Sequence, residues 1–328
     1  MADLAYELTE EEIDALRRKF EREYSSAAKA VEARAAEYLE EIKPEAERLR
    51  QAMIDAADDK TYRAAKRKYE RFMQEQTIAN KRFQDLQAQL ASDISAVNQA
   101  SAAEIASRMN RVFAINHNFA AYQLEHGLGM NLQFTLYDER TVARLIRENP
   151  RLLPKPSIDI AKDLAWNQQK ITSQITQGIL AGEPLPKVAA RLQNVTGMNY
   201  TSAVRNAQRA MSAAQSAGRI ESYHYAQSIG ISLKKEWLAT LDGHTRDEHR
   251  ALDGQKVDVD EPFKVGGEEI MYPGDPDAPG HLVYGCRCTL ISDVDGVEDL
   301  DPVYRRDNIS GKLVSDMSYK EWEAARSG

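Results

Sequence analysis

Apolar and small residues recur along the first part of the chain in steps of 3, 4 and 4: Ile13, Leu16, Phe20, Tyr24, Ala27, Val31, Ala35, Tyr38, Ile42, Ala46, Leu49 and Met53. The period is about 3.64 residues, that of an eleven-residue repeat, which predicts long helices packing nearly straight or slightly right-handed. Thr9 followed by Glu12 has the spacing of a capping box and marks the helix start. Pro44 lies off the stripe and is expected to kink or split the helix without losing its seam. A polar break at Asp58, Asp59 and Lys60 precedes a second long stripe through Tyr69, Phe72, Phe83, Leu86, Leu90, Ile94, Val97, Ile105, Met109, Val112 and Phe119, ending at Gly127 and Gly129. Two such stripes predict an antiparallel helical hairpin, and an arm of about 45 residues would reach about 70 Å.

Shorter helices are expected at 139–148, 157–181, 184–195 and 200–229, the last rich in Ala and Ser. After Gly230 the pattern changes. LKKEWLATL, EEIMY and CRCTLIS read as strands and HTRDEHRAL as a short helix or turn, with loops at LDGQ, VGG and PGDPDAPG. SYKEWEAARS closes the chain as a small helix. Glycine and proline sharpen this division, because residues 1–126 hold no glycine and one proline whereas 231–328 hold ten and five. The fold class is therefore α+β and mainly α-helical: a long N-terminal helical hairpin, a helical middle and a small turn-rich C-terminal α+β module. The expected divisions are an arm at 1–130, a middle region at 131–230, a module at 231–292 and a tail with a short helix at 293–328.

Composition removes several classes of function. No stretch approaches the roughly 18 apolar residues of a bilayer span, and the acidic start MADLAYELTEEEIDAL is unlike a secretory leader, so a cytosol-like compartment is expected. The net charge is −8 over 328 residues. It is unevenly spread, at −4 over 1–110, +5 over 111–230 and −9 over 231–328. The mildly basic middle leaves room for a local nucleic-acid contact, although the whole surface is not built for one. Arg63, Lys66, Arg67, Lys68 and Arg71 form a basic run, and Arg205, Arg209 and Arg219 lie in the basic middle. Each reads first as solvated helix face and second as a contact to DNA or an acidic partner.

The densest cluster of reactive side chains spans 234–292. It holds Asp242, His244, Asp247, His249 and Asp253 on one side and His281, Cys286 and Cys288 on the other. If CRC lies in a strand, both thiols point to one face with Arg287 directed away. Two thiolates and an imidazole suit zinc. On that reading Cys286, Cys288 and His249 are ligands and His244 the fourth, with His281 or Asp242 as its alternative. The plainer reading makes both cysteines small buried hydrophobes and the histidines turn caps, so no cofactor is certain and zinc is the one candidate. A Cys/His nucleophile pair is a third option. A disulfide framework is excluded by two cysteines only two residues apart. Asp293-Val-Asp295-Gly296 starts like a calcium loop, but its glycine falls fourth instead of sixth. There is no G-x-x-x-x-G-K, H-E-x-x-H or G-x-S-x-G, so the common routes to an enzyme are missing and no catalytic residue is assigned.

Taken in order, KKEWLATLDGHTRDEHRALDGQ, EPF, YPGDPDAPG and GCRCTL resemble the head morphogenesis domain of tailed bacteriophages, the MuF-like minor head proteins. That family shows a tryptophan strand, a D-x-R-T-R-x-x-H-x-x-L-D-G stretch, a P-G-D-P loop and a final N-C-R-C. The matching positions are Trp237, Asp242, Thr245, Arg246, His249, Leu252, Asp253, Gly254, Pro273, Gly274, Asp275, Pro276, Cys286, Arg287 and Cys288. The likeness is dense over 234–291 and thinner over 155–233. His244 and Gly285 stand where the family has arginine and asparagine, and its R-T-E-T lead-in is degraded to Arg209-Ala210-Met211-Ser212. The resemblance implies a minor capsid component at the portal vertex, in the capsid interior of the virion and in the host cytoplasm during assembly. It implies a role in head assembly, DNA packaging or DNA delivery. Its partners would be the portal protein, the major capsid or scaffolding protein and packaged DNA, with no membrane. Some members carry a fused toxin, but the short segment after Ile291 leads us to expect none here. A metal-dependent hydrolase or nuclease and an internal DNA-binding protein are the alternatives.

Overall fold

A computed structural model describes residues 3–241 and 245–297, with the short pieces 305–306, 313–314 and 323–324. The chain is mainly α-helical with a small antiparallel sheet region toward its C-terminus, the α+β class expected. The elements run α1 (Leu4–Ile54), α2 (Asp59–Thr77), α3 (Lys81–Leu128), α4 (Glu139–Glu148), α5 (Ile160–Leu180), α6 (Leu185–Ser228), β1 (Leu233–Leu238), α7 (Asp247–Leu252), β2 (Lys256–Asp258), β3 (Phe263–Val265), β4 (Glu268–Ile270), α8 (Gly280–Val283) and β5 (Thr289–Val294). Two further two-residue strands pair at Arg305–Arg306 and Leu313–Val314. No described helix is long and apolar enough to cross a membrane. Of the expected closing helix, residues 323–324 alone are described, and they are helical.

By contacts the chain forms two compact units that interleave in sequence. One comprises Met1–Leu16, Glu104–Pro156 and Arg205–Gly328, the other Arg17–Ala103 and Ser157–Val204. These are not the linear divisions read from the sequence, because α1, α3 and α6 each contribute a segment to both units.

The second unit is a helical core that buries the middle of the first stripe. Val31, Ala35, Tyr38, Ala46 and Met53 of α1 pack with Tyr69 and Met73 of α2, Phe83, Leu90 and Ile94 of α3, and residues of α5 and α6. Helices α1 and α3 run antiparallel, as the bond from Tyr24 Oη to Asn98 Oδ1 at 2.7 Å and the Arg82–Glu41 ion pair show. That is the hairpin expected, but α5 and α6 share its core, so its stripe is covered from within the chain. A polar network also ties the helices together. The Asp163 carboxylate accepts from Ser95 Oγ and from Asn98 Nδ2 at 2.9 Å, while Asn98 Nδ2 also reaches Asn199 Oδ1 at 2.6 Å. Asn199 donates to Asn167 Oδ1 at 2.9 Å. Buried amides at this density are tolerable only when mutually satisfied, and here they fix the register of α1, α3, α5 and α6.

Several boundaries differ from expectation for local reasons. Helix α1 starts at Leu4, before Thr9, because the Asp3 carboxylate accepts Tyr6 N–H at 3.0 Å and provides the cap. Thr9 lies inside the helix and donates to Ala5 O at 2.7 Å. Pro44 lies within α1 without ending it. The second stripe divides into α2 and α3, where Ile78 and Ala79 N–H both fold back on Gln74 O and Asn80 Oδ1 restarts the chain by accepting Arg82 N–H. The expected helices 184–195 and 200–229 are a single helix, α6, which runs through Gly197. The tight break at Asp58 is as expected, with Asp58 Oδ1 capping α2 through Thr61 N–H at 2.7 Å.

The first unit assembles around α3 and α6, and two adjacent residues of α6 set that contact. A Cβ on Gly218 would stand 2.3 Å from Phe113 O, so only glycine lets the two backbones approach this closely. Next to it, Arg219 is wholly buried. Its Nη1 donates to Leu290 O at 2.8 Å, Nη2 to Asp3 Oδ2 at 2.6 Å and Nε to Asn116 Oδ1 at 3.1 Å, joining β5, the α1 cap and α3. Arg219 is therefore not a solvent-facing contact, because all three faces of its guanidinium are used inside the core. His117, in α3, is likewise structural. It stacks on Tyr137 with centroids 3.8 Å apart and is pushed down to about 4 by burial. Replacing Arg219 with Met strands a half-buried carboxylate, a buried amide oxygen and a carbonyl. We expect a loss of about 3–5 kcal/mol of stability in urea titration, and a loss under 1 kcal/mol would refute this account of the guanidinium.

Candidate functional site

Strand β1 alternates inward and outward, and Leu233, Lys235 and Trp237 face in. It pairs antiparallel with β2 and β5, giving the sheet order β2-β1-β5 with Trp237 opposite Leu290. Lys235 is an unusual inward residue, and its polar end is accounted for: Nζ donates to Met271 O at 2.9 Å and sits over the Phe263 ring. Burial lowers its pKa to about 8. Trp237 is fully buried and meets the rings of Phe263 and His249 edge-on at 5.3 and 5.9 Å.

The residues shared with the resembling family mostly act here as turn and packing devices. Asp253 Oδ1 accepts Ala239 N–H at 2.8 Å, and Gly254, at φ +74°, donates its N–H to Trp237 O at 2.8 Å. Together they close the turn after α7 and send the chain back as β2. In the P-G-D-P loop, Asp275 is buried and accepts Met271 and Asp277 N–H groups, both at 2.9 Å. Pro273 O receives Ser216 Oγ at 3.0 Å, and a Cβ on Gly274 would lie 2.5 Å from Ala213 N. The loop is thus seated directly on α6, over the segment where the family's R-T-E-T lead-in is altered. In this chain Met211 is fully buried there and Ser212 nearly so, which makes the segment an interior floor. Gly285 has φ +69°, a left-handed conformation that glycine and asparagine both tolerate. That explains why glycine can stand where the family has asparagine.

The thiols of Cys286 and Cys288 converge, though not as strand neighbours. Both precede β5 in a loop, with Cys286 N–H on Val283 O at 3.3 Å and Cys288 N–H turned onto Cys286 Sγ at 3.4 Å. The loop is held from both sides by Arg246 Nη1 on Tyr284 O and Thr240 Oγ1 on Arg287 O, each at 2.7 Å. His249 comes from α7, where it and Leu252 face inward three residues apart. Its Nε2 is 2.9 Å from Leu282 O, which can only accept, so Nε2 carries the proton and Nδ1 is left facing Cys288 Sγ at 3.2 Å. Arg246 Nη2, 3.1 Å from Nε2, is then a neighbouring charge and not a hydrogen-bond partner. One donor atom from each of His249, Cys286 and Cys288 lies within 4.8 Å of the others, and all three residues are buried.

The two thiols share a proton unequally. Cys288 is held well below the usual thiol range, chiefly by the hydrogen bond from Cys286, while that bond and burial push Cys286 up. The buried Trp237 Nε1 has no hydrogen-bond partner, and its N–H still lies close enough to Cys288 to favour the thiolate. Thr240, Thr245, Arg246 and Arg287 line a small cleft that opens onto His249 and Cys288. Tyr6, from the start of α1, reaches Thr240 at this rim, a contribution that no motif signalled.

Other expected site residues lie elsewhere. His281 is exposed and pairs with Glu268 Oε2 at 2.8 Å. It is not among the three converging donors. Asp242 and His244 fall outside the described residues. On α2, Arg63 pairs with Asp59 at 2.7 Å and Lys66 with Glu70 at 3.8 Å, while Arg67, Lys68 and Arg71 are exposed. Arg205 stacks over Tyr284 at 5.1 Å, and Arg209 is half-buried with its Nε unpaired.

Comparison with known proteins matches residues 169–291 to the family described as Phage Mu protein F like protein. The minor head protein GP7 of Bacillus phage SPP1 is 32% identical over 216 residues, covering 63% of this chain and 67% of that protein. The NAD(+)–arginine ADP-ribosyltransferase EFV of Enterococcus faecalis is 33% identical over 207 residues, covering 62% of this chain but 41% of that protein. The Bacillus subtilis protein YqbB is 30% identical over 146 residues, 42% of this chain and 47% of its own length. No solved structure matches the chain. Within the site, Gly274→Ala meets both backbone strain and the α6 backbone, so we expect a loss of at least about 2 kcal/mol in thermal or urea unfolding. Gly267→Ala, at φ +83° with open space around it, should lose about half as much, and equal losses would refute seating of the loop on α6.

Proposed function

The chain belongs to the Phage Mu protein F like family, which includes a phage minor head protein, and from that membership we propose that it is a structural component of a phage head held at the portal vertex. The observation that carries this reading is the use made of the family residues. Asp253, Gly254, Gly274 and Asp275 build turns and seat a loop on α6, which is the work of a module made to hold shape. Helix α2 adds an exposed basic face of Arg67, Lys68 and Arg71, chemistry suited to an acidic protein surface or to packaged DNA. On this reading the portal protein is the first partner, with major capsid or scaffolding protein second, and the role is in head assembly, packaging or delivery.

An enzymatic role is the second reading, favoured by the depressed Cys288 thiol beside His249 and by the activity in one relative's name. That name describes a protein of which this chain covers 41%. Burial of both cysteines gives the structural reading the advantage, since reactive thiols sit in partly exposed positions.

Co-expression with a portal protein encoded beside the gene, followed by size exclusion and mass measurement, tests the proposal. Stable co-elution, weakened when Arg67, Lys68 and Arg71 are all changed to Glu, is the expected result. A folded chain that elutes alone in the presence of portal protein would overturn the portal assignment.

A further inference from the structure

We propose that Cys286, Cys288 and His249 form a zinc site that pins α7 to the loop before β5. The inference rests on geometry within the C-terminal module and does not depend on the role of the protein in a phage head.

Three observations support it. The donor set is two thiols and one imidazole, a combination well suited to tetrahedral zinc. The donors are already gathered. Tetrahedral bonds of zinc to sulfur and nitrogen put N···S at about 3.6 Å and S···S at about 3.8 Å. Nδ1 and Cys288 Sγ are 3.2 Å apart and all three donor atoms lie within 4.8 Å, so binding needs side-chain shifts of no more than about 1 Å. The third observation is the outer layer. His249 gives its Nε2 proton to Leu282 O and thereby turns an unprotonated Nδ1 toward the sulfurs, the arrangement that orients metal-bound histidines. The buried Trp237 Nε1–H is unpaired beside Cys288, which a thiolate bound to metal would keep as a negative neighbour.

Three protein donors gather among the described residues, which leaves a fourth tetrahedral position. The cleft lined by Thr240, Thr245 and Arg246 reaches His249 and Cys288, so a water, a small anion or one further side chain can complete the coordination from that side. The ion joins residues 39 positions apart in sequence, so its removal should loosen α7 and the Cys loop together.

The test uses the full chain, purified without an affinity tag or chelator. Elemental analysis should give about one zinc per chain, released in step with titration of two thiols by a mercurial reagent. Cys288→Ser and His249→Ala should each lose most of the metal. Because either variant could unfold, the wild-type chain is also loaded with cobalt(II) in place of zinc. A tetrahedral spectrum with sulfur-to-cobalt charge transfer from two thiolates supports the site without any mutation. A folded wild-type chain with less than about a tenth of a zinc per molecule, no cobalt charge transfer and both thiols modified without metal release would overturn the proposal.

Discussion

A single buried arginine holds the first unit together. The Arg219 guanidinium spends its three edges on Asp3 at the start of α1, Asn116 on α3 and the Leu290 carbonyl on β5. A cation this deep is stable only with its donors met, and each partner it meets belongs to a different element. The neighbouring Gly218 allows α3 and α6 to approach until a side chain would collide with backbone. From that contact the rest follows. Helix α6 becomes the floor on which Ser216 receives the P-G-D-P loop and Gln215 bonds Thr289 at 2.8 Å, and the small sheet is fastened to a helical layer.

The part of the fold written in periodicity was the most legible. The 3-4-4 stripe is buried at Ile13, Leu16, Phe20, Val31, Ala35 and Tyr38, because a repeat of that length keeps one helix face inward for many turns. Boundaries depended on single side chains and were harder to read. Asp3 provides the first cap by accepting Tyr6 N–H, while Thr9 lies inside the helix with its hydroxyl on Ala5 O. Arg219 looked like one of several basic residues on a solvated helix, because nothing in its neighbourhood in sequence announces three acceptors that are distant along the chain. Lys235 was equally hidden, since strand alternation places it inward and only the fold supplies the Met271 carbonyl that makes this tolerable.

In the candidate site, residue type carried more information than spacing. Trp237, Asp253, Gly254, Gly274 and Asp275 each do something that few other residues can do, and so they stand out in a string of letters. The convergence of Cys286, Cys288 and His249 was likewise foreseeable, but the route differs. The loop turns Cys288 N–H onto Cys286 Sγ, whereas a strand would simply have placed the thiols on one face. The contributions of Tyr6, Thr240 and the Leu282 carbonyl could not be read in advance, since they depend on how the start of α1 and the end of α8 meet this module.

These features describe a module whose most distinctive residues are committed to its own architecture, and its family membership links that architecture to the phage head. The most direct measurement is quantitative mass spectrometry of heads purified from the phage or induced prophage that encodes the chain, compared with the unassembled fraction of the same lysate. The account predicts peptides from both units in the particles, at a small and reproducible ratio to the major capsid protein. Their absence from purified heads, with the chain abundant in the unassembled fraction, would contradict it.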